Sequence, residues 1–216
     1  YASPEESRHL ANETSQDTVD VMSSVIAENY GVVEDFYRFK RSVLKLPKLY
    51  DYDRYAPISK TSSKKIDFQA GKSIVLNSYR DFSPKFSDIA EKFFNEKWID
   101  ANMKEGKRGG AFCMSVNTKL HPYVLMNYQG NAHDVKTLAH ELGHGVHGYL
   151  MMQGTFLQYG APLTISETAS IFGELLVFKT LLKNMKGKKE KFAFYISKIE
   201  DIFASVFRQH AMYKFE

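Results

Sequence analysis

The five residues His-Glu-Leu-Gly-His at positions 140–144 constrain this chain more than any other stretch. They lie inside the run 134–150, whose apolar residues recur at helical spacing. In a helix, residues four positions apart share one face, so His140 and His144 can reach a single metal ion. Glu141 lies about 100° further round the helix, beside such an ion. This is the HExxH arrangement of zinc hydrolases, in which two imidazoles bind the metal and the carboxylate deprotonates the metal-bound water.

A catalytic zinc site normally has three protein ligands and a water, so a third ligand must be found. His147 shares a helix face with His140, but about 10 Å of helical rise separates the two positions, which favours a supporting or structural role for His147. A further class of zinc protease places a third histidine six residues after the second. Leu150 occupies that position and excludes the class.

Glu167 is the strongest candidate for the third ligand, because the 22 residues between it and His144 leave room for a loop and the start of another helix. Glu174, two turns further along the same face, can bind or support the site from there. The alternative is structural. Thr164-Ile165-Ser166-Glu167 has the pattern of a capping box, in which the glutamate serves only the helix end.

The composition is that of a globular protein, with 44% apolar and 25% charged residues. No run of about 18 apolar residues indicates a transmembrane helix, and the polar N-terminus shows no signal peptide. The net charge of +4 is too small to indicate nucleic acid or an anionic membrane as partner. The single cysteine, Cys113, excludes an intramolecular disulfide and fits a reducing cytoplasm.

Apolar spacing and helix-start signals predict one mainly helical unit with a small β element. The first 14 residues or so are expected to be loose or to lie against a neighbouring segment. A β-hairpin is predicted from residues 111–116 and 123–126, and Asn131 or Asp134 is expected to cap the HExxH helix. The other predicted helices span 15–30, 32–46, 67–79, a segment from Ser83-Pro84 to about 98, 165–182, and 189 to the end.

Four ordered segments carry a resemblance to a known family: Gly106–Ala111, His121–Gly130, Asp134–His144 and Glu167–Ser170. Together they resemble the oligoendopeptidase F branch of the thimet oligopeptidase family of zinc peptidases. The resemblance implies that His140, His144 and Glu167 bind one zinc ion and that Glu141 is the catalytic base. It implies a mainly α, zincin-like (neurolysin-like) fold, whose deep channel admits short peptides. The segment 123–127 is then expected to be an edge strand that pairs with the substrate backbone.

The resemblance also implies that residues 1–216 are a single catalytic-domain fragment of a longer zinc oligopeptidase. Chains of this family continue past the position of Glu216 into a segment with His and Tyr that stabilises the oxyanion. His210 and Tyr213 belong to a different stretch and do not match that segment. We therefore expect a cytoplasmic, zinc-dependent endopeptidase that acts on short peptides, with the fragment nearly inactive alone.

Two readings from other classes remain open. One is a non-catalytic helical domain that binds zinc structurally or serves as a peptide-binding module, which requires a closed four-ligand site. The other is a non-peptidase HExxH hydrolase such as a deformylase, which needs a cysteine ligand. Cys113 precedes the motif by 27 residues, a spacing that gives this reading little support.

Overall fold

The computed structural model describes residues 1–58 and 65–215, and most of them are helical. The helices are α1 Glu6–Ala11, α2 Gln16–Glu28, α3 Tyr30–Leu44, α4 Phe68–Phe82, α5 Pro84–Asn95, α6 Ala132–Met151, α7 Leu163–Asn184, α8 Lys188–Phe203 and α9 Gln209–Phe215. The strands are β1 Ile99–Asp100, β2 Phe112–Met114 and β3 Tyr123–Leu125. The prediction of a mainly α fold with a small β element is confirmed.

The chain divides into two compact units, the first comprising Tyr1–Ser62 and Met185–Glu216 and the second Ser63–Asn184. The second unit contains α4 to α7 and the three strands. Its core is formed by side chains with almost no exposed surface, among them Val75, Tyr79, Phe93, Leu138 and Leu142. That residues 1–216 form a single catalytic-domain fragment stays a prediction.

Helix starts in the second unit follow the signals in the sequence. The side chain of Asp67 accepts a hydrogen bond from the Ala70 N–H, and Ser83 accepts one from the Phe86 N–H. Asn131 caps α6 by accepting from the Asp134 N–H, as predicted. The Asp134 carboxylate in turn accepts from three successive backbone N–H groups, those of residues 129–131. These bonds fix the turn that delivers the chain from β3 into α6.

The three strands form one sheet in the order β1-β3-β2. The predicted hairpin is present, because β2 pairs antiparallel with β3 through Cys113 opposite Val124. The parallel strand β1 was not predicted, since two residues are too short to show a periodicity. Its presence makes the expectation for residues 123–127 wrong: β3 lies between two strands and is not an edge strand. The edge strand of the hairpin is β2.

The first unit contains α1 to α3, α8 and α9. Residues 1–14 are not all loose as expected, since α1 forms within them although it buries no residue. The buried Lys40 of α3 donates hydrogen bonds to the Arg54 carbonyl and the Glu200 carboxylate. None of the helices in residues 1–58 and 65–215 combines the length and apolar character needed to cross a membrane.

Candidate metal centre

The two motif histidines and one glutamate converge between α6 and α7. The Nε2 atom of His140 lies 3.3 Å from Oε2 of Glu167, and Nε2 of His144 lies 3.5 Å from Oε1. One ligand atom from each residue can be chosen so that all lie within 4.8 Å of one another. The two imidazole rings stand nearly perpendicular, with centroids 5.0 Å apart. This spacing allows one small ion to contact all three side chains.

Glycine lets α6 and α7 approach closely enough to form this group. A Cβ atom on Gly143 would lie 2.6 Å from the Ala169 carbonyl oxygen and 2.7 Å from Ser170 Cα. Both are backbone atoms of α7, so no side chain can rotate away to make room. The residue between the two histidines thus fixes the distance at which α7 presents Glu167.

The helix that carries Glu167 begins at Leu163, one residue before Thr164. Thr164 is therefore inside the helix and not at the N-cap position, so the capping-box reading of Glu167 is wrong. The Glu167 side chain is half exposed and accepts a hydrogen bond of 2.8 Å from the Ser170 hydroxyl. This bond holds the carboxylate toward α6.

Glu174 supports the group from behind His140. Its Oε2 atom lies 3.6 Å from Nδ1 of His140, while Nε2 of the same ring faces Glu167. A carboxylate on the second nitrogen of an imidazole fixes which nitrogen is free to bind a metal. His147 is not a member of the three-residue group.

The pKa values of the two histidines are shifted in opposite directions. Burial lowers the pKa of His140, but the hydrogen bond to Glu174 and the charges of Glu141 and Glu167 outweigh it and leave that pKa raised. At His144, burial is the main cause of a lowered pKa, and it outweighs the opposing charge of Glu167. The charges of His140 and His147 lower the pKa of His144 further, and a lowered pKa favours the neutral imidazole that metal binding requires.

Glu141 lies beside this group and is 6% exposed. Burial raises the pKa of its carboxyl group, partly offset by the charge of His140, while the Glu167 charge raises it further. The backbone N–H of Cys113 donates a hydrogen bond that lowers the same pKa. A carboxylate whose pKa is raised toward neutrality is suited to exchange a proton with a reacting group.

The direction of the Cys113 N–H also shows which edge of β2 has no strand partner. Val124, opposite Cys113, donates its N–H to the Trp98 carbonyl on the other side of β3, so the N–H of Cys113 points away from β3 and toward Glu141. β2 has no second strand partner among the described residues. The edge of β2 that lacks a strand partner therefore runs past the carboxylate of Glu141, which occupies the N–H of Cys113 and leaves the carbonyl of Cys113 on that edge without a strand partner.

The donor set of the group fits zinc. Two imidazole nitrogens and one carboxylate oxygen form the His₂Glu set of catalytic zinc sites, which leaves a fourth position for water or substrate. A search of residues 1–58 and 65–215 for three or more His, Cys, Asp or Glu side chains close enough to hold a metal ion gives this group. Cys113 does not belong to it, which removes the ligand that a deformylase-like site requires.

Sequence reasoning identified the three converging residues and the neighbouring Glu141 and Glu174. It did not identify the function of Gly143, the Ser170 hydrogen bond or the N–H of Cys113. Of these three features, only the close contact at Gly143 has a signal in the sequence. Glycine costs about 1 kcal/mol in a helix relative to alanine, so Gly143, Gly145 and Gly148 within one helix indicate close contacts.

Comparisons with known proteins match most or all of the chain to peptidases. The model of peptidase family M3 matches residues 1–216. The oligopeptidase PepF of Bacillus subtilis is 27% identical over 217 residues, which cover 100% of this chain and 32% of that protein. An oligoendopeptidase F homolog of Borreliella burgdorferi is 33% identical over 195 residues, covering 88% of this chain and 33% of the relative.

A solved structure shows the same architecture. A Chlamydophila abortus protein assigned as a peptidase superposes with a TM-score of 0.82 and 28% identity, over 96% of this chain and 35% of that one. The chain thus spans about a third of the length of the relatives it matches.

Proposed function

The chain belongs to peptidase family M3, and from that premise we propose that it carries the zinc centre of an endopeptidase that hydrolyses internal bonds of short peptides. The observation that carries the proposal is the convergence of His140, His144 and Glu167 beside Glu141. Family M3 is generally zinc-dependent, and this donor set suits zinc.

His140, His144 and Glu167 would hold the ion. When bound, zinc supplies a Lewis acid that polarises the scissile carbonyl and lowers the pKa of a water toward 7. The three side chains set its position, with Glu174 orienting the ring of His140 through Nδ1. The hydroxyl of Ser170 restrains the Glu167 carboxylate by donating a hydrogen bond to it.

Glu141 is the proposed general base. Its carboxylate accepts a proton from the water whose oxygen attacks the carbonyl carbon. It then delivers that proton to the nitrogen of the leaving amine as the C–N bond breaks. The raised pKa favours the first step, because it makes the carboxylate a stronger proton acceptor, and the N–H of Cys113 holds the carboxylate in place between the two transfers.

The unpaired edge of β2 is the proposed binding site for the peptide backbone. An extended peptide can add to an open strand edge through main-chain hydrogen bonds, which recognise length and conformation rather than side chains. Because the edge runs past Glu141, a peptide bound there would be close to the metal group. The cytoplasmic location stays a prediction that rests on the single cysteine.

The number of ligands in the group helps to distinguish a catalytic site from a non-catalytic domain that binds zinc structurally. A structural zinc site is normally closed by four protein ligands. In the described part of the chain the group has three. The three-ligand group supports a site of the open kind, with one position left for water or substrate.

The proposal is tested with Glu141→Gln in the gene product that contains this chain. We expect one zinc per chain to be retained, while cleavage of an internally quenched peptide falls by at least about 100-fold, the usual contribution of a general base. Glu105→Gln, at an exposed glutamate of the same unit, is the matched control and should change neither quantity. Normal activity in Glu141→Gln would refute the assigned base, and loss of zinc would make Glu141 a ligand.

A further inference from the structure

The first unit contains a cavity of about 310 Å³ that the metal centre does not use. Its size is at the lower end for small-ligand pockets, which run from about 300 to 1,000 Å³, so it suits a ligand of about one amino acid. The lining residues come from α3, α8, the loop at 54–55 and the turn that follows α8, and they include Tyr30, Arg54, Tyr55, Glu200, Phe203 and Arg208.

One wall of the cavity is aromatic. Phe203 and Phe207 pack edge to face, with ring centroids 5.5 Å apart, and Phe36 supports Phe203 from behind at 5.1 Å. Residues 204–208 form a π-helical turn between α8 and α9. Such turns are rare and occur frequently at functional sites. Here the turn supplies Ala204, Phe207 and Arg208 to one cavity.

The aromatic wall is held in place by buried polar contacts. The hydroxyl of Tyr30 lies 2.6 Å from Nδ1 of His210, and Nε2 of His210 lies 2.7 Å from the Ser23 hydroxyl. Both ring nitrogens of the buried His210 are thus occupied. Tyr30 is thereby fixed against Phe207, with ring centroids 6.1 Å apart.

The charged residues that line the cavity carry a net positive charge. Glu200 is already paired with Lys40, which also donates to the Arg54 carbonyl and so anchors the loop to α3. The exposed guanidinium groups of Arg54 and Arg208 have no carboxylate within ion-pair distance in residues 1–58 and 65–215. Arg208 donates a hydrogen bond to the hydroxyl of Tyr55, and both residues line the cavity.

We propose that this cavity binds a carboxylate attached to an aromatic body, as in phenylalanine or the C-terminal residue of a peptide. Guanidinium groups bind carboxylates through two parallel hydrogen bonds, which gives both affinity and orientation. An aromatic ring inserted against Phe203 and Phe207 makes the edge-to-face contacts that such rings prefer. The proposal does not depend on the metal centre, because every residue it uses lies in the first unit.

The test compares two probes by calorimetry on the 216-residue chain: N-acetyl-phenylalanine and its neutral amide, N-acetyl-phenylalaninamide. The probes differ only in the carboxylate. We expect the acid to bind at least tenfold more tightly, because one charge-assisted pair is lost in the amide. Binding of free phenylalanine and of a tripeptide ending in phenylalanine then shows whether the carboxylate belongs to a free amino acid or to a peptide C-terminus. A free amino acid is indicated if the tripeptide fails to bind, and a peptide C-terminus if the tripeptide binds at least as well.

Three variants locate the binding. Arg208→Gln and Arg54→Gln remove the charges and should each weaken the acid at least tenfold, without changing the amide. Ala204→Leu fills the cavity and should weaken both probes. Arg38→Gln, an exposed arginine of the same unit paired with Glu34 and Asp35, is the control and should leave binding unchanged.

Thermal melting of each variant separates lost binding from lost folding, and the two exposed arginine variants are expected to melt like the parent chain. Equal binding of acid and amide would overturn the proposal. So would the absence of binding at millimolar acid, or tight binding that survives both arginine substitutions.

Discussion

At the scale of single residues, the two units each bury an ionisable side chain and satisfy it with a specific partner. Lys40 has no exposed surface and donates to Glu200 and to a carbonyl. Glu141 is nearly buried and accepts from the Cys113 N–H. A buried charge is costly unless it is paired, so each site commits the chain to one arrangement of helices or strands.

The Lys40 pair predicts a large loss of stability for Glu200→Gln. Removing the charged partner leaves the buried ammonium uncompensated, and breaking such a pair costs about 3–5 kcal/mol. Urea unfolding of the 216-residue chain measures this. Arg38→Gln breaks an exposed pair and should cost less than about 1 kcal/mol. If Glu200→Gln costs no more than that control, the ion pair does not stabilise the first unit.

Cys113 predicts slow thiol chemistry. Burial, with a further contribution from the Glu141 charge, raises its pKa to about 12 from an ordinary value of 9.0. At pH 8.5 the folded chain should react with iodoacetamide at least 100-fold more slowly than the urea-unfolded chain, because the thiolate is the nucleophile. Since it is the only cysteine, mass spectrometry reports this one site.

The same raised pKa has a consequence for stability. The unfolded thiol loses its proton near pH 9 while the folded one keeps it, so stability falls as the pH rises above 9. Equal alkylation rates in the folded and unfolded chain would contradict the raised pKa of this half-buried thiol.

At the scale of elements, the sequence predicted what depends on local signals. Asp67, Ser83 and Asn131 are good caps, and each begins a helix as expected. The hairpin and the HExxH helix were also predicted. What failed depends on distant partners: β1 has only two residues and exists because β3 lies beside it. Thr164-Ile165-Ser166-Glu167 has a capping-box pattern, yet α7 begins before it.

The contact between α6 and α7 predicts the effect of Gly143→Ala. The added methyl group meets backbone of α7, so the helices must separate, which should cost about 1–3 kcal/mol. Moving Glu167 away should also weaken zinc binding at least tenfold, measured by competition with a chelating dye.

Gly31→Ala is the matched control. Gly31 lies in α3 with no atom near the position of its missing Cβ. Alanine there should stabilise the chain by about 0.5–1 kcal/mol through helix propensity alone. Unchanged stability and zinc affinity in Gly143→Ala would show that the glycine does not set the separation of α6 and α7.

At the scale of the whole molecule, the second unit alone supplies the metal group, the base and the strand edge. The first unit supplies a cavity of different chemistry, aromatic and cationic. The chain as a whole spans about a third of its relatives' length, so hydrolysis of peptides is proposed for the protein that contains it.

The most direct test of the central claim is an anomalous difference map, recorded at the zinc edge from crystals of the chain grown with zinc. We expect one ion about 2.0–2.2 Å from a nitrogen of His140, a nitrogen of His144 and a carboxylate oxygen of Glu167. His144→Ala should abolish that peak. An ion held instead by His144 and His147, or no ion at the three residues, would contradict a zinc centre formed by His140, His144 and Glu167.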